Sequence, residues 1–525
     1  MKNLYFWHIA LIPLYLFPLC AFGETGVIEH LRIDRTKEKT SEIQVRIRSN
    51  SSRIFTLPEA LRATLAPRTV VEFTPGTLQN SSLTTQSLQD SITIIEEPSE
   101  PSESQHRALI LKLRFQDGDV ACSDNRLNRI LIGGKKNVRD WFRESSEDLL
   151  QFNFDGNGDG FVDVYTIDIS ASVSEGCDSD SWADEADTQA TAMGIDLTQY
   201  EHITYLLPKN TVCDWGGLGT MDCGEDCRVW TRDCSNLSLY LHEYGHNIGL
   251  DHASKDEDGD GEADSEYGDT SCPMGSATTK FRHFNGPHQA MLGWIQDEYV
   301  VKSDNSEVAL YPVEIEDEFI GSPENFPTLD GIGQLLRIPV PGAKVGPVET
   351  EHFYASFRRK VGRYSKSLPK QYKDAITIHR RNILSGQAVE VATLNTPDTS
   401  YTDPSGATIS LLDRDKERVV VWGSSKGIDA PTYHLTTTVT LEGNSPLSAS
   451  EAEKIHLVVK KRQASTKTTL NLTSNNEFHF EGTFGSYSLK LQFPKDRFKL
   501  KGGSKNTKIL INQDSQISFT FQRIK

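Results

Sequence analysis

The sequence predicts an α/β (α+β) domain followed by β-sandwich-like accessory domains. Between residues 107 and 300, alternating apolar runs such as RALILKLRF, typical of strands, are interspersed with segments of helical periodicity such as NRLNRILIGGKKNVRDWFRESSEDLL. Beyond residue 300 the pattern changes to short alternating runs, among them ERVVVWG and YHLTTTVTL, separated by Gly, Pro and Asn. A chain of 525 residues is long enough for three or four domains, each with its own core.

Changes in composition along the chain give the expected domain boundaries. The first residues combine Lys2, an apolar run and the small residues Ala21 and Gly23, which indicates a cleaved signal peptide and a secreted, extracellular protein. The predicted segments are a signal peptide (1–23), a β-rich N-terminal segment (24–95), a Pro/Ser/Glu-rich linker (96–106), the α/β domain (107–300), a β-rich accessory domain (301–440) and a basic β-rich C-terminal domain (441–525).

Seven cysteines follow the predicted signal peptide, and all of them lie in the α/β domain. They are Cys122, Cys177, Cys213, Cys223, Cys227, Cys234 and Cys272. Export favours disulfide bonds over a second zinc cluster for these thiols. Because seven is an odd number, at least one thiol is expected to be free, modified or paired between chains, and the connectivity stays open.

One short stretch, LHEYGHNIGLDHA at residues 241–253, has the spacing of a metal site. His242 and His246 are four residues apart, so on a helix they lie on the same face. Gly249 lets the chain turn sharply, because a residue without a Cβ tolerates backbone angles closed to others. That turn can bring His252 round as a third ligand. Three imidazoles on one zinc leave a fourth position for water, as in a catalytic site.

Glu243 directly follows the first of these histidines and is the candidate catalytic residue. Zinc lowers the pKa of a bound water to about 7, and a neighbouring carboxylate can then accept its proton. The other interpretation is a helix with incidental surface histidines. The complete pattern specifies five positions, three of them with histidine, an uncommon residue type, which favours the zinc site.

The pattern H-E-x-x-H-x-x-G-x-x-H resembles the metzincin zinc peptidases, which also have a downstream methionine turn. The stretch YGDTSCPMG supplies Met274, one of only five methionines, as the residue expected to pack beneath the zinc without binding it. The flanking stretches YLLPKNTVCDWGGLG, FNGPHQAMLGW and VACSDNRLNRILIGGKKNVRDWFRESS resemble the gametolysin (autolysin) family of secreted metzincins. This resemblance covers roughly residues 107 to 300.

The resemblance implies a metzincin-like fold and a secreted zinc metalloendopeptidase that hydrolyses extracellular, cell-wall or matrix proteins and glycoproteins. In such clefts a substrate pairs with a sheet edge as an additional strand. The alternative is a non-catalytic surface or adhesion protein on a metzincin scaffold. Such a protein is expected to have lost the glutamate or a ligand, whereas this sequence keeps Glu243 and all three histidines.

The N-terminal segment raises the question of latency, since many metzincins are inactive until a propeptide group leaves the zinc. Residues 24–95 contain no cysteine, which excludes a thiol from that region as the inhibitory group. The segment is interpreted as a propeptide with a different inhibitory group, and the alternatives are a folding aid or a small β-module. The exposed composition of the linker predicts proteolytic processing between Pro98 and Arg107.

Two acidic stretches, DGNGDGFVD and DEDGDGEAD, match the first nine positions of an EF-hand-type calcium loop. The candidate ligands are Asp155, Asn157, Asp159, Phe161 (through its carbonyl) and Asp163 in the first loop, and Asp256, Asp258, Asp260, Glu262 and Asp264 in the second. Position twelve is Thr166 or Tyr267 instead of glutamate, with Asp168, Glu266 or Asp269 as substitutes. Structural calcium is therefore a candidate, and acidic surface turns are the alternative.

Charge is unevenly distributed over the chain. The whole sequence has a formal net charge of −18, yet residues 451–525 carry 14 Lys and Arg against 6 Asp and Glu, a net of +8. A basic C-terminal domain can bind an anionic surface polymer, although a solvated lysine-rich sheet face is the simpler interpretation. No nucleic-acid-binding motif is present, and a nucleic-acid partner is not expected.

Overall fold

The computed structural model describes residues 24–35, 40–51, 53–78, 84–96, 105–275, 281–295, 298–300, 305–314, 329–345, 348–383, 386–415, 417–443, 446–464 and 467–524. The predicted signal peptide and most of the predicted linker lie outside these residues. The chain divides into two compact units, one formed by Met1–His30 with Gln44–Glu100 and the other by Leu31–Ile43 with Pro101–Lys525. Within the described residues, no helix combines the length and apolar character needed to cross a membrane.

The first unit is made mainly of short antiparallel strands. Its elements are β1 (Glu24–Arg35), β2 (Thr40–Ser49), β3 (Ile54–Leu57), β4 (Val70–Phe73), α1 (Pro75–Leu78), α2 (Thr85–Gln89) and β5 (Ile92–Glu96). The strands β2 and β3, β1 and β4, and β4 and β5 are paired. Alternate residues such as Val45 and Ile47 point into a core of their own. Residues 31–43, from the end of β1 to the start of β2, belong to the second unit.

The second unit begins with a mixed sheet flanked by helices. Its elements are β6 (Gln105–Arg114), α3 (Asp124–Asn128), α4 (Val138–Ser145), β7 (Gln151–Asn153), β8 (Val164–Asp168), α5 (Ser179–Ala192), β9 (His202–Leu206), β10 (Gly217–Met221), β11 (Cys227–Thr231), α6 (Leu237–Asn247), β12 (Ala253–Lys255) and α7 (Gly286–Met291). The sheet order is β10-β11-β9-β6-β7, with β8 also on β6 and the end of β1 beside β10. The predicted alternation of strands and helices between 107 and 300 is therefore observed.

The two faces of this sheet bury different cores because strand side chains alternate. On β6, Ala108 and Ile110 join the apolar cluster that contains α4 and α6, whereas Leu109 and Leu111 join the cluster that contains α5. The sheet thus has helices on both faces, and α6, which carries the histidine motif, lies on one of them. The arrangement is an α/β layer, while the chain beyond it is almost entirely β.

The described strands between residues 298 and 424 form two facing sheets and a separate two-stranded sheet. Their strands are β13 (Glu298–Val300), β14 (Asn305–Leu310), β15 (Gly331–Gly333), β16 (Leu335–Pro339), β17 (Lys344–Val345), β18 (Val348–Glu349), β19 (Glu351–Arg358), β20 (Ala375–Asn382), β21 (Ala388–Leu394), β22 (Thr399–Thr402), β23 (Thr408–Arg414) and β24 (Val419–Ser424). One facing sheet has the order β12-β21-β20-β19-β16-β13 and the other β15-β14-β24-β23-β22, while β17 and β18 form the two-stranded sheet. Apolar residues of both sheets share one core.

The C-terminal part is a second pair of sheets. Its elements are β25 (Thr432–Leu441), α8 (Ala449–Ala452), β26 (His456–Lys461), β27 (Thr468–Asn471), β28 (Glu477–Thr483), β29 (Gly485–Gln492), β30 (Phe498–Gly502), β31 (Asn506–Ile511) and β32 (Ser515–Arg523). The sheets β28-β25-β32-β30 and β27-β26-β29-β31 enclose a common apolar core.

The segment after the histidine motif is part of the first of these later sheets. β12 follows His252 directly and pairs in parallel with β21. The strand is short, but it attaches the turn that carries the third histidine to a large and well-buried sheet. Strands before and after residue 300 thus belong to one hydrogen-bonded sheet. The domain boundary expected near this residue stays a prediction.

The cysteines form disulfide bonds, as the sequence predicted for an exported chain. The pairs are Cys122–Cys234, Cys177–Cys213 and Cys223–Cys227, and Cys272 is a buried free thiol. The bond from Cys122 to Cys234 spans 112 residues and ties the start of α3 to the chain just before α6. On the chain-entropy model such a link stabilises the fold by about 4 to 5 kcal/mol.

Candidate metal and catalytic site

The helix α6 presents two of the three histidines. The side chain of Asn236 accepts a hydrogen bond from the N–H of Ser238 and caps the helix, and every residue of α6 is buried. The helix ends at Asn247, and Gly249 adopts φ +95°. That angle is strained for any residue with a Cβ, so glycine permits the turn that brings His252 back to the helix.

The three imidazoles of His242, His246 and His252 lie close together. The Nε2 atoms of His242 and His252 are 3.2 Å apart, and the Nε2 of the fully buried His246 has no hydrogen-bond partner among the described residues. Two nitrogen ligands at 2.0–2.1 Å from a tetrahedral zinc would be separated by about 3.3 Å. The spacing therefore fits a zinc ion.

The other nitrogen of each ring is held by an acceptor that motif spacing does not reveal. The Nδ1 of His242 donates to the carbonyl of Pro273 at 2.9 Å, and the Nδ1 of His246 donates to the carbonyl of Leu250 at 2.8 Å. The Nδ1 of His252 lies 2.9 Å from Oε1 of Glu266. The contacts of His242 and His246 set the tautomer that leaves the Nε2 lone pair available for a metal, whereas the Nδ1 of His252 also lies 2.6 Å from a guanidinium nitrogen of Arg32.

Glu243 is buried against the sheet without a hydrogen-bond partner for either carboxylate oxygen among the described residues. Burial, followed by the charge of Asp34, raises the pKa of Glu243 well above its ordinary value. Its close approach to β10 depends on Gly217, since a Cβ there would lie 1.9 Å from Oε1 of Glu243. A glycine within a strand often marks such an approach, and this was the available sequence signal.

Met274 occupies the place expected of the methionine turn. It is fully buried, and its sulfur would lie 2.4 Å from a Cβ added at Gly245, the residue that directly precedes His246 in α6. The carbonyl of Met274 accepts a hydrogen bond from Ala253. Pro273, the residue before it, orients His242. This turn therefore supports the imidazoles and offers no ligand atom of its own.

A fourth side chain, not identified from the sequence, lies among the histidines. Asp34 is only 4% exposed, and its Oδ2 is 2.7 Å from Nε2 of His242 and 3.8 Å from Nε2 of His246. Its Oδ1 is 3.0 Å from Nε2 of His252. Burial alone would raise the pKa of Asp34, but His252 and His242 outweigh it and hold the pKa well below the ordinary value. A lone aspartate on a strand gives no sequence signal of this kind.

The four side chains together fit a divalent cation. One ligand atom from each of Asp34, His242, His246 and His252 lies within 4.8 Å of the others. Nitrogen and carboxylate oxygen are ordinary zinc ligands, and a doubly charged ion would also compensate the neighbouring buried carboxylate of Glu243, which lacks a hydrogen-bond partner among the described residues. The donor set, rather than the motif alone, supports a metal centre here.

The two acidic loops differ in geometry. In the second, the carboxylates of Asp256, Asp258 and Asp260 have oxygen atoms within 4.8 Å of one another, and Asp264 accepts the N–H groups of Glu257 and Asp258. Glu262 is exposed and donates its N–H to Asp260.

In the first loop, Asp155 and Asp159 accept backbone N–H groups, and Phe161 is exposed. Asp163 is buried and accepts hydrogen bonds from the amide of Asn157 and from the hydroxyl of Tyr200. Its oxygens are thus occupied by protein donors.

The residues suggested as substitutes for position twelve have other partners. Asp168 pairs with Arg114, Glu266 contacts His252, and Asp269 contacts His379. Glu266 therefore lies beside the histidine site, and its place as a substitute ligand of the loop stays a prediction.

Comparisons with known proteins match this region. Residues 125–398 match the family model described as gametolysin peptidase M11. Autolysin of Chlamydomonas reinhardtii is 30% identical over 97 residues, which is 17% of this chain and 14% of autolysin. The chain thus aligns with only a small part of that relative's length.

Solved structures show weaker similarity. A minor pilin of Streptococcus agalactiae is 13% identical, covering 42% of this chain and 97% of the pilin with a TM-score of 0.19. A DUF3823 family protein of Parabacteroides merdae is also 13% identical, covering 18% of this chain and 48% of that protein with a TM-score of 0.15. These TM-scores are too low to establish a shared fold. The family match covers more than half of the 525 residues and includes the whole histidine motif, and the chain belongs to the gametolysin peptidase M11 family.

Proposed function

We propose that this protein is a secreted zinc-dependent endopeptidase that hydrolyses peptide bonds in extracellular, cell-wall or matrix proteins and glycoproteins. The observation that carries the proposal is the convergence of three buried imidazoles beside a buried carboxylate that lacks a hydrogen-bond partner among the described residues. Export is supported by the disulfide bonds and by the predicted signal peptide.

His242, His246 and His252 would hold the zinc, and Glu243 would act on the attacking water. Bound zinc supplies a Lewis acid that polarises a carbonyl and lowers the pKa of water. Glu243 accepts the proton of the attacking water and then passes it to the leaving amine. The position of Glu243 is set by α6 and by the missing Cβ at Gly217. Its burial excludes bulk water from the carboxylate and keeps its proton affinity high.

The decisive experiment changes Glu243 to Ala in the zinc-loaded protein and compares both proteins after proteolytic removal of residues 24 to about 105. We expect the variant to fold and to retain zinc, while cleavage of casein falls by at least about 100-fold, the range of a lost general base. Glu175, an exposed glutamate, provides the matched control, and Glu175→Ala is expected to cleave normally. Equal cleavage by Glu243→Ala and the wild type would refute the assigned role. A wild type that binds zinc and cleaves nothing after proteolytic processing would favour the surface-protein alternative.

A structural calcium ion in the loop 256–264 is a second proposal. The converging carboxylates of Asp256, Asp258 and Asp260 support it, because oxygen ligands in this spacing suit calcium. The loop connects the third histidine to the methionine turn. Calcium would stabilise that connection without taking part in the reaction.

As a third proposal, the C-terminal domain binds an anionic surface polymer, a ligand that is defined only by its charge. A surface cavity of about 580 Å³ is lined by Lys460, Arg462 and Lys508 together with Tyr487. Lysine and arginine in one concavity favour anionic ligands. Loss of retention on heparin after Lys460→Ala with Lys508→Ala would support this interpretation, and unchanged retention would contradict it.

A further inference from the structure

We propose that residues 31–43 are an inhibitory segment in which Asp34 takes the zinc's fourth position, so that the uncleaved chain is latent. This inference rests on the proposed function, because it needs a zinc ion on the three histidines. It names the inhibitory group that the absence of cysteine in residues 24–95 left open.

The first step of the argument is coordination. Both oxygens of Asp34 face the histidine nitrogens, at 2.7 Å from His242 and 3.0 Å from His252. A zinc with three imidazoles and one carboxylate has the four protein ligands of a closed site, whereas a catalytic site keeps one position open. With Asp34 in place, no position remains for the attacking water.

The second step is that residues 31–35 occupy the place beside β10 where a substrate strand would pair. The end of β1 lies beside β10, and the N–H of Gly216 donates to the carbonyl of Asp34 at 2.8 Å. A peptide substrate entering such a cleft pairs with a sheet edge as an added strand. Residues 31–35 already make this pairing, so they compete with a substrate for the backbone groups of the edge as well as for the metal.

The third step is the anchoring of the segment. Arg32 is buried and pairs with Asp251 and Glu266, the latter being the carboxylate that contacts His252. The N–H of Ser41 donates to Glu266 at 2.9 Å, and Arg35 pairs with Asp214 and Glu42. Contacts on both sides of Asp34 therefore hold its carboxylate in place.

Tyr267 completes the arrangement. Its hydroxyl donates to Oδ1 of Asp34 at 3.0 Å, and its ring centroid lies 4.3 Å from that of His252. A hydroxyl donor on the second oxygen orients the carboxylate toward the histidines. Removal of residues 24 to about 105 by cleavage in the linker would release Asp34 and Arg32 together, leaving Tyr267 and Glu266 with the peptidase.

The test uses the full chain with cobalt(II) in place of zinc and acetohydroxamic acid as the probe. The visible spectrum of cobalt reports whether the probe reaches the metal, independently of peptide cleavage. We expect the intact wild type to be insensitive to the probe. Asp34→Ala and the isosteric Asp34→Asn should bind it at least about tenfold more tightly, because they remove a competing ligand. Asp90→Ala, an exposed aspartate of the first unit, is the control and should behave as the wild type.

The outcomes separate this inference from the proposed function. Equal probe binding by the wild type and both Asp34 variants would overturn the inhibitory role while leaving the zinc site intact. A wild type that takes up no stoichiometric metal would overturn both. The double variant Asp34→Ala with Glu243→Ala should bind the probe yet cleave no casein, because the first change opens the metal and the second removes the base.

Discussion

Two buried clusters of charged side chains in the second unit differ in how their charges are compensated. In the proposed zinc site, both oxygens of Glu243 and the Nε2 of His246 lack hydrogen-bond partners among the described residues. In the other, here called the structural cluster and formed by Asp269, Glu314, Arg358 and His379, the acids and the guanidinium are bonded to protein groups.

The bonds of the structural cluster are short and specific. Arg358 donates to Glu314 at 2.6 Å and to the hydroxyl of Ser271, and both side chains of the ion pair are fully buried. Asp269 accepts from Asn285 and lies 3.0 Å from Nε2 of His379, which holds the pKa of Asp269 below its ordinary value despite burial.

The difference between the two clusters indicates which buried charged residues serve a reaction and which stabilise the fold. A buried charge that the protein itself compensates serves the packing between the histidine region and the later sheets. A buried acid that the protein leaves without a partner requires something that the chain does not supply, such as a metal ion or a reacting water. Perturbed proton affinity alone does not separate the two, because both clusters show it.

The largest expected effect comes from breaking the structural cluster. Arg358→Met leaves Glu314 buried without its cation and should lower the free energy of unfolding by about 3 to 5 kcal/mol. Denaturant unfolding measures this loss. The exposed pair Arg143–Asp148 is the matched comparison, and Arg143→Met is expected to cost at most about 1 kcal/mol.

Adding Glu314→Gln to Arg358→Met should recover part of the stability, because the buried charge is removed. If Arg358→Met costs no more than the surface variant, the ion pair does not support the fold. Glu243→Ala in the zinc site, by contrast, should leave stability nearly unchanged while abolishing activity.

A somewhat smaller effect on the free energy of unfolding is expected from the ionisation of Glu307. Its carboxylate is intermediate between the two clusters, because it has one weak hydrogen-bond partner. It is 4% exposed and accepts a hydrogen bond from Tyr433 at 3.3 Å. Burial raises its pKa from 4.5 to about 7, so the folded chain keeps this proton while the unfolded chain loses it. The free energy of unfolding should therefore fall by about 3 kcal/mol as pH rises from 4.5 through 7, with no penalty below that range.

Glu307→Gln should remove this part of the pH dependence and stabilise the protein at pH 8. Unfolding of both proteins at pH 5 and pH 8 provides the measurement, and Glu417→Gln, on an exposed glutamate, controls for the loss of one carboxylate. An identical pH dependence in wild type and Glu307→Gln would show that Glu307 is solvated.

The smallest effect on stability is expected from calcium binding, in which an ion compensates a cluster of acidic side chains near the surface. Calcium at about 100 times its dissociation constant should stabilise the zinc-loaded protein by about 3 kcal/mol or less and slow self-cleavage. Asp258→Ala with Asp260→Ala should weaken the effect, whereas Asp155→Ala with Asp159→Ala tests the first loop separately. Calorimetry without heat of binding and without a thermal shift would contradict the proposal.

Features that depend on interactions between residues close in sequence could be predicted, and features that depend on contacts between distant residues could not. The strands of residues 107–300, the helix α6 and the three histidines follow from local periodicity and from one glycine turn, and the structure contains each of them. The disulfide bonds were expected from the number of cysteines and from export, although their pairing was not. The contact of Glu266 with His252 was not anticipated, because it joins residues 14 positions apart through a turn that local periodicity does not encode.

By itself, the sequence determined which residue types form the candidate site, because His242, Glu243, His246, Gly249 and His252 lie within one helix and one turn. Their relative positions need only the helical repeat and a glycine at positive φ. Only the tertiary structure decided what surrounds them. Asp34 lies on a strand that is far away in the sequence, and Gly217 in the neighbouring sheet leaves room for the side chain of Glu243. Such contacts depend on strand order and register, which local periodicity does not encode.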